Sequence, residues 1–162
     1  MKNETSKMKN VKRLKMSVLI SIVFTVSMLS SQLSFSQYSP PVEKVLRCLG
    51  QEVMTNDVLD MILVFDMKDD VVPDCKAGGG LTFYSPGGKV QRIGFQNNKD
   101  YGIYAGELPF GLSLENTGRD ILAKYPDATT EEDYMKFSVD GKGVSVKFTS
   151  SKQKKIEFIQ VY

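Results

Sequence analysis

The chain contains no histidine and no tryptophan. Without histidine the usual general base near neutral pH is missing, and Ser-His-Asp, Cys-His and histidine-metal arrangements are excluded. Cysteine is almost as scarce, with Cys48 and Cys75 alone. Two thiols and no imidazole cannot complete a tetrahedral zinc site without unusual carboxylate help, so no metal centre is expected. Phosphate-loop signatures are lacking too: "AGGGLTF" and "SPGGK" do not match G-x-x-x-x-G-K-[ST]. Both precede predicted strands, whereas a phosphate cradle opens a helix, so they read as turns and no cofactor is expected. A membrane-spanning run is also lacking, since the apolar stretch Val18 to Leu29 falls short of the roughly 20 residues that cross a bilayer.

That stretch has a different meaning in its context. Lys2, Lys7, Lys9, Lys12, Arg13 and Lys15 precede it, and the small residues Ser34-Phe35-Ser36 follow. A basic head, a short apolar segment and a small-residue end describe an export signal over residues 1–36, cleaved near Ser36. The mature chain, residues 37–162, is then expected in the periplasm or outside a bacterial cell, with no membrane span. The discarded segment carries six of the 21 basic residues and one of the 19 acidic ones, which leaves 15 against 18 and a net charge of −3. The remaining basic residues are interspersed with carboxylates, so nucleic acid is not an expected partner. An oxidising compartment allows a Cys48–Cys75 disulfide, closing a loop worth roughly 3 to 4 kcal/mol by chain entropy. Two separate buried thiols are the alternative.

An internal similarity runs through the mature chain. "NDVLDMI" from 56 aligns with "RDILAKY" from 119, placing Asp57 on Asp120. At the same offset Gly80-Leu81-Thr82-Phe83 falls on Gly143-Val144-Ser145-Val146, Ile93 on Ile156 and Phe95 on Phe158. The shared register predicts two related units, about 42–100 and 115–162, each a short helix followed by antiparallel strands. Thr117 and Asp120 predict a helix start, and Pro126 its end. The first unit adds an opening helix near Val42–Leu49, a second from Asn56 to about Phe65, a loop with room for a short extended piece through "DMKDDVVPDCKAGGG" and a hairpin of "LTFY" and "VQRIGF". The expected fold is a single α+β domain, a curved antiparallel sheet with helices packed on one face.

Between the units lies "YGIYAGELPFGLSL", residues 101–114, too irregular for a helix and too broken for a long strand. Tyr101, Tyr104, Leu108, Pro109 and Phe110 supply the residue types that dominate protein contacts, and they are the candidate binding residues. Closure of the core between the units is the competing role for the same aromatics. The carboxylate clusters Asp69-Asp70 and Glu131-Glu132-Asp133 lie in polar loops and read as solvated surface; no catalytic residues are assigned.

The segment from Tyr104 to Leu114, followed by "TGRDILAKYPDA", resembles a bacterial pattern Y-x-G-x-L-P-x-G-L-x-(F/L) and a short helix ending in L-G-x-P. That pattern occurs in small proteins of largely unassigned function, some of them immunity-like. The repeated unit also resembles the SmpA/OmlA-like and β-lactamase-inhibitory-protein-like folds. Here Lys124-Tyr125-Pro126 stands where the pattern has L-G-x-P. The resemblance implies a binding protein that is not an enzyme, an inhibitor or immunity factor, and the acidic mature chain favours a basic protein partner. A carboxylate-based hydrolase of an envelope polymer and a structural envelope component are the alternatives.

Overall fold

A computed structural model describes residues 39–150, 152 and 155–162; the expected export signal lies outside the described residues. Three short α-helices form among them where local signals put them. Helix α1, Val42–Leu46, follows Pro41, whose ring-fixed φ suits the first turn, and it buries Val42 and Val45. Helix α2, Asn56–Val64, buries Val58 and Met61. Its N-cap Thr55 makes no capping bond because its hydroxyl donates to Gln51 Oε1 and the Glu52 carbonyl, both at 2.8 Å. Helix α3, Gly118–Lys124, opens on a complete capping box between Thr117 and Asp120. It ends before Pro126, which disfavours helical backbone at Tyr125.

The described strands build one antiparallel sheet: β1 Lys68–Asp69, β2 Cys75–Gly78, β3 Leu81–Tyr84, β4 Arg92–Asn98, β5 Gly102–Ile103, β6 Thr129–Glu131, β7 Tyr134–Val139, β8 Lys142–Phe148 and β9 Ile156–Val161. Their order is β1-β2-β3-β4-β9-β8-β7-β6, with β5 paired to β4. The protein is therefore mixed α and β, dominated by the sheet. One row of neighbours, Leu81, Phe95, Ile159, Val146 and Met135, runs across five strands, and every member is fully buried. The next buried row, Phe83, Ile93, Val161, Val144 and Phe137, lies on the same face. Residues between them, such as Thr82, Gln160 and Lys136, point the other way. Val58, Met61 and Ile121 from the helices join the same core cluster.

Three expectations need correction. The stretch expected as a loop with a short extended piece carries two paired strands, β1 and β2; "KD" and "CKAG" have no alternating apolar pattern, and their pairing with one another and with β3 fixes them. The Cys48–Cys75 bridge is not formed, and both residues are free thiols. Cys48 is buried, its thiol directed at the carbonyls of Lys44 and Asp57, whereas Cys75 sits in β2 against the Lys76 carbonyl. Burial pushes both thiols up to about 11, with Asp57 adding to the effect at Cys48 and Asp70 at Cys75.

The third correction concerns the aligned register. Lys147 pairs with Phe158 but Phe148 pairs with Ile156, so Glu157 is an extra residue, a bulge in β9. Ile156 is buried like Ile93. Beyond the bulge the offset grows by one. Phe158 therefore sits opposite Gln96 on the polar face, and Ile159 takes the core place paired with Phe95.

Candidate functional site

Residues 99–117 leave β4, add the short strand β5, and return to the N-cap of α3. Their path is set early by Gly80. At φ +79 it occupies a conformation that L-residues avoid, and a Cβ there would lie 2.2 Å from the Tyr104 nitrogen. Only glycine lets the segment pass this close. Gly80 N–H donates to the Tyr101 carbonyl at 2.9 Å, and Tyr104 N–H donates to the Gln96 carbonyl at 2.9 Å.

These anchors turn Tyr104 inward. Its ring stacks on Phe65 at 5.8 Å and meets Phe95 edge-on at 5.0 Å, leaving 3% of the residue exposed. Leu108 and Pro109 are buried as well. Three of the five expected contact residues are thus core, because the apolar face of the sheet needs covering where the chain crosses it. Tyr101 is half-buried, and its hydroxyl donates to Asp70 Oδ2 at 2.8 Å. That bond, more than burial, holds its phenol above the ordinary range, and it ties the segment to the β1–β2 loop, where Val71 is 94% exposed.

Phe110, like Tyr101, is partly exposed. It lies in the turn Pro109–Gly111 with φ 59° and ψ 26°, the left-handed region that a phenylalanine occupies at a cost of roughly 1–2 kcal/mol. Three hydrogen bonds fix the strained turn. Tyr125 hydroxyl and Lys124 Nζ each donate to the Phe110 carbonyl at 2.8 Å, and Lys124 Nζ also donates to the Gly111 carbonyl at 2.9 Å. Tyr125 is itself held, stacked on Phe137 at 4.3 Å with an interplanar angle of 15°.

The Phe110 ring lines a groove of about 410 Å³ together with Leu46 and Leu49. Glu43 and Arg47 on the α1 side, and Asp140 and Lys142 at the β7–β8 turn, also line it. Apolar and charged side chains of both signs thus meet in one groove, a mixture that protein contacts also use. Leu46 and Leu49 are readable as the apolar side of the first helix, but nothing in the linear sequence joins them to Phe110. Comparison of the chain with protein families, curated proteins and solved structures gives no match.

A second cavity, about 350 Å³, is formed by the segment itself and lined by Tyr104, Glu107, Leu108, Leu112, Leu114 and Glu115 among others. The Tyr104 hydroxyl and Ser39 Oγ are both buried, and among the described residues neither makes an aligned hydrogen bond. Burial holds the Tyr104 phenol above its ordinary range, the adjoining Ser39 hydroxyl opposes this, and nearby Glu107 adds to it. Among the described residues no group of three or more His, Cys, Asp or Glu side chains could hold a metal, and no helix is long and apolar enough to cross a membrane.

Proposed function

We propose that the protein is an exported, non-catalytic protein-binding module, acting as an inhibitor or immunity-like factor, whose contact surface is the groove around Phe110. The observation that carries this reading is the strained, clamped turn at Phe110. A glycine would occupy φ 59° without strain, yet the position holds a large aromatic ring at the edge of an apolar groove. Strain of this kind is retained where the side chain does work that glycine cannot do. Aromatic residues in such settings dominate interface energetics.

The same proposal includes two related helix-plus-strand units. Support comes from the strand order, which rises β1 to β4 toward the middle and falls β9 to β6 away from it. Val58 and Ile121, aligned by the shared offset, are both buried helix residues, and Leu81 and Val144 are both buried strand residues. The ends of α2 and α3 send Phe65 and Tyr125 to one face of the sheet, through Tyr104 and Phe137 respectively. A hydrolase reading finds less support: Glu107 and Glu115 share a cavity but both are exposed, and a carboxyl kept as a general acid is normally desolvated.

The test uses Phe110→Gly, which deletes the ring and relieves the backbone at once. Envelope extract is passed over the native protein and the variant, and a protein retained by the native form is purified and titrated against both. The expected loss is about 30-fold in affinity, equivalent to about 2 kcal/mol at an aromatic hot spot. Equal affinity for the two forms would sink the assignment.

A further inference from the structure

We propose that the face of the sheet opposite the core binds an acidic sugar, a glucuronic acid residue of a polysaccharide, with Tyr162 as its platform. Val161 and Val144 are fully buried in the core, so their neighbours Tyr162, Gln160, Gly143 and Ser145 point to the other side. Tyr162 and Gly143 exchange backbone hydrogen bonds of 2.8 and 2.9 Å, which sets the two residues side by side. A Cβ on Gly143 would lie 2.3 Å from Tyr162 Cε2, and 2.7 and 2.8 Å from the atoms on either side of it, Cζ and Cδ2. Such similar distances place the missing carbon over the face of the ring, since an approach at the ring edge would leave both flanking atoms much farther off. The Tyr162 ring therefore lies flat on the glycine backbone, and with 47% of the residue exposed its opposite face is open.

Unused polar groups surround this platform. Ser145, two residues along β8 on the same side, is only 7% exposed, yet its hydroxyl makes no hydrogen bond among the described residues. The fully inaccessible unbonded side-chain atoms among those residues are Ser39 Oγ and the Tyr104 hydroxyl, so the Ser145 hydroxyl is reached from the open face. Gln160, paired with Ser145 on one side and Gly94 on the other, also keeps its side-chain amide unbonded. The charge of the face then selects the ligand. Its lysines are already satisfied, Lys136 by Glu131 at 2.6 Å and Lys147 by Glu157 at 3.3 Å. Arg92, one step beyond the Ile93–Val161 pair and so beside Tyr162, forms no ion pair among the described residues. Its guanidinium lies over the Tyr84 ring, 5.3 Å from the centroid, an arrangement that leaves the N–H edge free for a carboxylate fork. An occupant must therefore stack a flat apolar face, carry one carboxylate, and bring hydroxyls that donate and accept. A β-linked glucuronic acid residue does all three: its substituents are equatorial, so axial C–H groups meet the electron-rich ring while the carboxylate and hydroxyls lie around the rim. An acidic peptide supplies the charge without the flat face.

The experiment is an amide-resolved NMR titration of the protein with a β-linked glucuronic acid trisaccharide, its methyl ester, a triglutamate peptide and hexathymidylate. The trisaccharide is expected to shift amides of residues 92–94, 143–146 and 159–162 with a dissociation constant on the order of millimolar, weakening as salt rises. The ester keeps the ring and loses the charge, and it should move the same amides with at least tenfold weaker affinity. Arg92→Gln should weaken the acid about tenfold and leave the ester unchanged, which separates loss of the carboxylate's partner from loss of structure. Tyr162→Ala should abolish binding of both, and Ser145→Ala should weaken both several-fold. Phe110→Gly should bind the trisaccharide like the native protein, so this face and the Phe110 groove are read independently. Absence of shifts at these amides, an ester that binds as tightly as the acid, equal binding of the acid by Arg92→Gln, or tighter binding of triglutamate or hexathymidylate would each overturn the assignment.

Discussion

The close approach at Gly80 yields a quantitative comparison with Gly50. Both glycines have nearly the same backbone, φ +79 and φ +80, but a Cβ on Gly50 meets nothing within 4 Å. Gly50→Ala therefore isolates the conformational term, about 1 kcal/mol. In Gly80→Ala the new methyl would lie 2.2 Å from Tyr104 N and 2.5 Å from the Ile103 carbonyl carbon, so the backbone itself has to move to reach ordinary contact. Overpacking of that kind adds about 1–3 kcal/mol. The displacement also pulls on the hydrogen bonds from Gly80 N to Tyr101 O and from Tyr104 N to Gln96 O, each worth about 1 kcal/mol net. The expected cost of Gly80→Ala is about 4 kcal/mol, against about 1 kcal/mol for Gly50→Ala. Urea unfolding followed by far-ultraviolet circular dichroism suits a chain without tryptophan. With a slope of about 1–3 kcal/mol per molar, the difference of about 3 kcal/mol separates the two midpoints by at least about 1 M. Coincident midpoints would show that the segment is not held against Gly80, and the placement of Tyr104 and its cavity would fall with it.

Two further outcomes follow from the titratable groups. With both thiols pushed up to about 11 by burial, Cys48 and Cys75 should resist alkylation at mildly alkaline pH in the native protein and both react in urea, giving a doubly labelled mass; an unlabelled unfolded chain would instead prove a disulfide. Asp120 accepts from Thr117 N and Thr117 Oγ at 2.7 and 2.8 Å, and these bonds hold its carboxyl below the ordinary 3.8. A depressed folded value means that its contribution is complete above 3.8 and is lost as pH falls through the lower folded value. Amide shifts of residues 118–121 should move in that acid window and stop moving in Asp120→Asn; a midpoint at or above 3.8 would contradict the capping geometry.

Local signals were legible where they acted locally. Thr117, Asp120 and Pro126 delimited α3 because caps and proline act over a turn of chain. The hairpin of β3 and β4 announced itself through alternation and its Gly-rich turn. β1, β2 and β6 were not readable, since "KD", "CKAG" and "TTE" owe their extended form to partner strands rather than to their own composition. Aromatic content marked residues 101–110 as important but not which way each ring turns. Tyr104 went inward because Gly80 and Gln96 fix its backbone, and both belong to strands or turns that precede the segment rather than to the segment itself.

The β4–β9 pairing has a consequence for how the chain is assembled. Among the described residues it is the one ladder joining β1–β5 to β6–β9, and its partners Ile93–Gln96 and Phe158–Val161 come from the middle and the far end of the sequence. A nascent chain that has emerged only as far as residue 150 holds two half-sheets, each with a raw edge in place of this seam. Those edges expose backbone groups able to pair with any other strand, including the same strand of a neighbouring molecule. Closure of the seam is a slow, non-local event, so the interval before it closes, rather than the packing of either half, governs how readily the protein aggregates as it folds.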